Sequence, residues 1–193
     1  MPHSSDVFDA LITQQLVALN PKSILDIGAG AGKYGKLLKT ALPNCVIDAV
    51  EPTQKYIDDY GLSSIYSTIY TMNIEEYLET HPNKGYDVVI IGDMLEHLYR
   101  SRVIDYLDFL VYKTDWVLCI WPTNLRQHAI ENNSYECHRS NFKLNDLSDK
   151  FDVEFYAKRF HYWNYGDYVH HPTYINYCVL KGLPNAVSAE FLR

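Results

Sequence analysis

The apolar run Ser23-Ile24-Leu25-Asp26-Ile27 passes without a break into Gly28-Ala29-Gly30-Ala31-Gly32, and this junction constrains the fold more than any other stretch of the chain. A run this short, bounded by Pro21 and by glycine, has the length of a buried strand, and a helical pattern follows at once from about Lys33 to Leu42. A strand that enters a helix through a glycine-rich turn is the first half of a strand–helix–strand unit, whose crossover delivers a parallel partner. In open parallel sheets the binding crevice lies beyond the carboxyl ends of the strands. Glycines at that point let the backbone turn sharply and approach a ligand. The first N–H groups of the following helix favour a carboxylate or phosphate in the same space.

The remaining elements extend this pattern. Val7, Phe8, Leu11, Ile12, Leu16 and Leu19 recur at helical spacing and predict an opening helix over 6–19, ended by Pro21. Residues 46–50 read as a second strand ending at Glu51-Pro52, followed by a short helix near 54–60, a strand around 65–70 and a short helix over 75–79. The β-branched run of Asp87–Ile91 suits a parallel strand covered on both faces. Val103, Leu107, Leu110 and Val111 line one face of a helix over 101–113; a strand over 116–121 follows, closed by Pro122. A helix over 144–151 and strands over 153–158 and 174–180 complete the chain. No helix separates the last two strands, which permits an antiparallel pair at the sheet edge. The expected architecture is one α/β domain over 1–193, a three-layer sandwich, with an N-terminal helix over 6–19, a cofactor half over 20–123 and acceptor-side elements over 124–182.

A chain of 193 residues has room for one full core and little more. Its formal net charge of -7 argues against a nucleic-acid partner, because phosphate backbones are met with clustered Lys and Arg. Cys45, Cys119, Cys137 and Cys178 are scattered, with no Cys-x-x-Cys spacing, so reduced thiols are expected and a zinc site is not. The N-terminus lacks the charged start and apolar run of a signal peptide, and runs such as Val88–Ile91 are too short to span a bilayer. Work in the cytoplasm, without a membrane, is the expectation.

Glu51 stands 23 positions after Gly28, where a carboxylate can accept from both hydroxyls of a ribose. Gly30-Ala31-Gly32-Lys33-Tyr34-Gly35 also satisfies the Gly-x-Gly-x-x-Gly dinucleotide pattern, but its first glycine falls two residues late after the strand. Asp26 is a polar residue at the tip of a buried strand, suited to bracing the loop. Asp93 and Glu96 place acidic groups beyond the fourth strand, near a cofactor's cationic end, and no second domain follows to carry a dehydrogenase substrate site.

At these residues the chain resembles the class I S-adenosylmethionine (SAM)-dependent methyltransferases, small-molecule branch. Ile24-Leu25-Asp26-Ile27-Gly28-Ala29-Gly30-Ala31-Gly32 is similar to the family's first motif, and Tyr86–Leu98, containing Gly92-Asp93-Met94-Leu95-Glu96-His97, is similar to its fourth-strand motif. The resemblance covers roughly residues 20–123 by motif and the rest by topology. It implies a Rossmann-like seven-stranded sheet, mainly parallel, with an antiparallel final strand, and SAM as cofactor. It further implies that Gly28 and Gly30 flank the methionine part, that Glu51 holds the ribose, that Asn73 and Ile74 contact the adenine, and that Asp26, Ala29, Gly32, Tyr34 and Pro52 also belong to the cofactor site. The family usually has an aspartate where this chain has Asn73, whose amide oxygen can still accept from the adenine amino group. Asp93 and Met94 would face the methionine amino group or the adenine. For His97 the resemblance favours capping the following helix over catalysis.

Methyl transfer is a direct displacement that needs alignment above all, and a general base only where the acceptor loses a proton. Segment 121–142 leaves the fifth strand and overhangs the crevice. Its Pro-x-Asn turn and His-x-Ser-x-aromatic element loosely resemble methyltransferases acting on sugars and similar polar metabolites. His138 is the first candidate base, then His128 and His97, with Trp121 and Asn124 as acceptor contacts. Tyr162 and Tyr165, within the aromatic segment 160–174, suit stacking on a substrate or a homodimer interface. The tandem His170-His171 has no carboxylate-rich company, so no metal is expected. The absence of an Asn-Pro-Pro-Tyr or Asp-Pro-Pro-Tyr element argues, within this family, against amino groups of nucleic-acid bases. The expected function is O- or N-methylation of a small polar acceptor; the alternatives are a nicotinamide-dependent enzyme on the same sheet and a non-catalytic SAM-binding assembly subunit.

Overall fold

Seven strands form a single sheet in a computed structural model that describes residues 4–129, 132–163 and 171–184. They are β1 (Ser23–Ile27), β2 (Val46–Val50), β3 (Ile69–Tyr70), β4 (Tyr86–Gly92), β5 (Thr114–Thr123), β6 (Val153–Trp163) and β7 (His171–Lys181). The helices are α1 (Asp9–Leu19), α2 (Lys33–Ala41), α3 (Gln54–Asp59), α4 (Ile74–Thr80), α5 (Arg100–Val111) and α6 (Asn145–Ser148). The strand order is β3-β2-β1-β4-β5-β7-β6. β1 pairs in parallel with both β2 and β4, and β5 continues in parallel from β4. β7 inserts antiparallel between β5 and β6. This is the Rossmann-like, mainly parallel arrangement with a reversed final strand that the sequence leads one to expect.

Alternation along each strand divides the core in two. Leu25 and Ile27 of β1, Val89 and Ile91 of β4, and Val117 and Cys119 of β5 face α4, α5 and α6. Ile24, Val88, Ile90, Leu118 and Ile120 face α1, α2 and α3. The side-chain period of two, applied to strands apolar on both faces, produces the three layers.

Several boundaries differ from the expected ones. Pro122 lies inside β5, paired with Ile175 of β7. The carbonyl of Ile120 accepts from Asp93 N at 2.9 Å, so Pro122, two residues on, directs its missing N–H to a side where β4 has already ended. β3 begins at Ile69, because Leu62–Ser64 form a 3-10 turn instead. That turn brings Leu62 so close to α2 that a Cβ on Gly32 would meet it at 2.7 Å. The helix expected over 144–151 contracts to α6 and a following turn closed by Phe151 N on Leu147 O at 2.9 Å. β6 and β7 are longer than expected and take in much of the segment read as their connection.

Strand order reverses between β1 and β4, the place where an open sheet leaves a crevice at its carboxyl edge. The Gly28 turn and Asp93 flank that opening.

Candidate functional site

A cavity of about 840 Å³ occupies this crevice. It lies within the usual size range of small-molecule and cofactor sites. Its lining includes Gly28–Ala31 with Glu51 and Pro52, Asn73 and Ile74 at the start of α4, Asp93 and Met94 after β4, and the group Glu96, His97 and His138.

Gly28, Gly30 and Gly32 have φ of 78°, 51° and 72°, left-handed values that a side chain would make costly. Gly28 N donates to Val50 O at 2.9 Å, tying the turn to the end of β2. A Cβ on Gly28 would come within 2.8 Å of Met94. Glu51 accepts from Gly30 N through Oε2 and from Thr53 N through Oε1, each at 2.8 Å. Burial raises its carboxyl above the usual range, and the two backbone N–H groups pull it back. Each oxygen keeps acceptor capacity toward the cavity. Tyr34, at the start of α2, also lines the cavity, with a buried hydroxyl that has no hydrogen-bond partner among the described residues. Its ring occupies space left by Gly92, where a Cβ would fall 2.0 Å from it.

Gly35, the last glycine of the dinucleotide pattern, packs instead against Tyr66, whose ring a Cβ would meet at 2.4 Å. The tight turn after β1 begins at Gly28. The dinucleotide match therefore does not describe this loop.

Asp26 braces the first turn of α2 and not the glycine loop itself. Tyr66 Oη donates to its Oδ2 at 2.5 Å and in turn accepts from Gly35 N at 3.2 Å. Burial pushes the Asp26 carboxyl up to about 7; the Tyr66 hydroxyl offsets part of this, and the charge of Glu51 adds to it. A carboxyl held above its ordinary value of 3.8 stabilises the fold at low pH, and that contribution is lost as pH rises through the folded value. The melting temperature is expected to fall between about pH 4 and about pH 7, and Asp26→Asn, which does not ionise, should flatten that fall. Identical slopes for the two proteins in thermal denaturation would remove Asp26 from the account.

Asp93 is a non-glycine residue at φ 49°, a conformation aspartate tolerates better than most. Burial pushes its carboxyl up to about 6, against Ser4, Lys33 and the Ser5 N–H. Neither oxygen completes a well-formed hydrogen bond. Lys33 Nζ pairs with Asp9 at 2.7 Å and donates to the Ser5 carbonyl, while the Ser5 hydroxyl meets His161 Nδ1 at 3.0 Å. These contacts hold residues 4–5 against the cavity, where Ser4 lines it. No periodicity or motif signals that role for the N-terminal residues.

The element His138–Phe142 is fastened to the 3-10 turn Leu95–His97. Arg139 N and Ser140 N donate to Glu96 O at 2.7 and 3.1 Å, and Ser140 Oγ donates to Leu98 O at 2.5 Å. The His97 and His138 rings meet edge-on, 4.7 Å apart. His138 Nδ1 donates its proton to Leu125 O at 2.7 Å, which leaves the lone pair on Nε2. Burial lowers both imidazoles, His97 to about 4, the neighbouring His138 adding to the effect on His97.

Several expected contacts fall elsewhere. Trp121 is completely buried, and its Nε1 donates to Phe142 O at 3.0 Å, so its neighbour Pro122 lines the cavity in its place. Asn124 is exposed at φ 56° and closes a turn with Asn141, outside the cavity. His128 and Tyr162 are exposed and line no part of the cavity. Tyr165 and His170 lie outside the described residues. Asn73 caps α4, its Oδ1 accepting from Glu76 N at 3.0 Å, which engages the oxygen expected to meet adenine. Sequence reasoning missed Tyr56 and Glu136, joined Oη to Oε1 at 2.9 Å across the acceptor side. It also missed the grouping of the adjacent Glu96 and His97 with His138, 41 positions further along the chain.

No known family model matches the sequence, and no curated protein does. Solved structures match closely in fold. A SAM dependent methyltransferase from Archaeoglobus fulgidus superposes with a TM-score of 0.61 at 15% identity, over 90% of this chain and 94% of that one. The plantazolicin methyltransferase BpumL, in complex with SAH, gives 0.60 at 14% identity over 91% and 82%. A candidate RNA methyltransferase from Pyrococcus horikoshii gives 0.60 at 14% identity over 92% and 83%. The chain has the fold of SAM-dependent methyltransferases. Among the described residues no helix is long and apolar enough to cross a membrane.

Proposed function

We propose that the protein transfers a methyl group from SAM to the oxygen or nitrogen of a small polar acceptor, such as a sugar or a similar metabolite. One observation carries this: a single cavity joins the glycine turn braced by Glu51 to a wall made of Glu96, His97 and His138. The residues present fit the donor. The remaining acceptor sites of Glu51 suit ribose hydroxyls, and the under-bonded carboxylate of Asp93 suits a cationic amino group. Pro52, Ile74 and Met94 offer an apolar rim for the adenine. When bound, the donor supplies a methyl carbon activated by the adjoining sulfonium.

The chain's own part is alignment and proton handling. A hydroxyl acceptor held beside His138 would give its proton to Nε2, leaving its oxygen to receive the methyl group that the donor would supply. The net charge of -7 and the carboxylates of Asp93, Glu96 and Glu136 around the cavity favour a small acceptor over a polyanion. Work in the cytoplasm accords with such a substrate. The exposed rings of Phe160, Tyr162 and Tyr174 on β6 and β7 suit a homodimer contact.

S-adenosylhomocysteine (SAH) at about 100 times its Kd should stabilise the protein by roughly 3 kcal/mol, seen as a rise in melting temperature. NAD should leave the temperature unchanged. A response to NAD with none to SAH at millimolar level would overturn the proposal. Transfer of labelled methyl from SAM to RNA, and to nothing in a metabolite extract, would overturn its acceptor half.

A further inference from the structure

Glu96, His97 and His138 each place one ligand-type atom within 4.8 Å of the other two. They come from two elements locked together through the backbone, since Arg139 N and Ser140 N both bond the Glu96 carbonyl. Glu96 is almost fully buried, yet its Oε2 has no hydrogen-bond partner, and neither does the buried Nδ1 of His97. Buried polar atoms are satisfied in the great majority of cases, so two orphans in one corner call for a cause.

Among the described residues no cationic side chain bonds to either atom. His138 directs its Nδ1–H to Leu125 O and holds a lone pair on Nε2. The guanidinium of Arg139 is committed to the carbonyls of His97 and Ser134, at 3.0 and 2.9 Å. Lys33 is taken up by Asp9 and Ser5. The corner therefore gathers a carboxylate and two imidazoles beside Asp93, all on one cavity and with none of the described lysines or arginines bonded to the three side chains.

We propose that this corner binds a divalent transition-metal cation of the Zn²⁺, Mn²⁺ or Co²⁺ class, with Glu96, His97 and His138 as its protein ligands. Two imidazoles and one carboxylate select these ions, whereas Mg²⁺ and Ca²⁺ favour all-oxygen sets. Ligand atoms about 2.0–2.2 Å from such an ion lie roughly 3–3.5 Å from one another, so the cluster closes by about an ångström on loading. The Leu125 carbonyl on His138 Nδ1 is the kind of outer partner that orients a ligating histidine. Positions on the cavity side stay open to water or to an acceptor oxygen. That last use rests on the methyl-transfer function proposed above; the cation site itself does not. With the cation bound, Nε2 of His138 ligates the ion and a hydroxyl held there is acidified by it and gives its proton to solvent; without the cation, Nε2 is the base described above.

The test is titration of the metal-free full chain with Co²⁺, followed by visible d–d absorption and by equilibrium dialysis. About one equivalent should bind, and His138→Ala and Glu96→Gln should each weaken binding at least tenfold. Both variants should keep their SAH affinity within a few-fold, which shows that they fold. Wild-type protein that binds neither Co²⁺ nor Zn²⁺ at millimolar level overturns the inference and leaves SAH binding untouched. Unchanged Co²⁺ affinity in both variants overturns it as well. So do the near-ultraviolet charge-transfer bands of thiolate ligation, which would move the ion to Cys45 or Cys137. Metal binding without any response to SAH would keep the site and overturn the methyl-transfer function instead.

Discussion

Glu51→Ala should lower SAH affinity by about 100-fold or more, because hydrogen bonds to a charged group are worth roughly 1.5–3 kcal/mol each and two ribose hydroxyls lose their acceptor together. The same change releases Gly30 N and Thr53 N, whose 2.8 Å bonds to the carboxylate set the conformation of the turn. Stability without ligand should change far less. Burying Glu51 raises its pKa, so the fold loses two hydrogen bonds but is relieved of a poorly solvated charge. Calorimetric titration with SAH alongside a thermal melt separates these two quantities. An unchanged Kd would place the ribose away from the end of β2 and remove the main support for the donor pose.

Trp121→Ala should act in the opposite way, costing roughly 3–5 kcal/mol of stability, the usual loss for a large aromatic deleted from a core. Trp121 has 0% exposure and packs with Cys119, Phe142 and Leu147 on the face covered by α5 and α6. Its indole N–H satisfies the Phe142 carbonyl, which the alanine would leave without that partner. Urea denaturation measures the loss, and SAH affinity of the protein still folded should be unchanged. A variant of normal stability with impaired turnover would return Trp121 to the acceptor contacts that its sequence position suggests.

Those two residues illustrate what the sequence discloses. Glu51 is legible because a strand end followed by a turn leaves few directions for a side chain, and β1, β2 and β4 form where their apolar runs lie. Trp121 sits one step along β5 from Pro122, and period-two alternation puts one residue on the cavity and the other in the core. Without knowing which face is which, the sequence cannot choose between them. Asn73 misleads for a different reason. The Asn-x-x-Glu spacing that makes it a good helix cap coincides with the position where a nucleotide contact is expected. The acceptor wall is the least legible part. His138 reaches His97 only because Arg139 and Ser140 bond back to Glu96, a long-range pairing that leaves no periodic trace. The contribution of Ser4 and Ser5 depends in the same way on Lys33 and His161.

The insertion of β7 between β5 and β6 sets an order on synthesis. As the chain emerges from the ribosome, β1 to β5 can assemble with their crossover helices while one edge of β5, from Trp116 to Thr123, has nothing to pair with. β6 emerges next but has no place in the sheet, since its only strand neighbour is β7. The nascent molecule therefore carries an apolar strand edge and an idle strand together until residues 171–181 are made. Closure is a late, long-range event that one segment completes, and shortening that segment exposes the same edge for good. Chaperone demand and aggregation during expression should then track the integrity of β7 more than any change at the binding cavity.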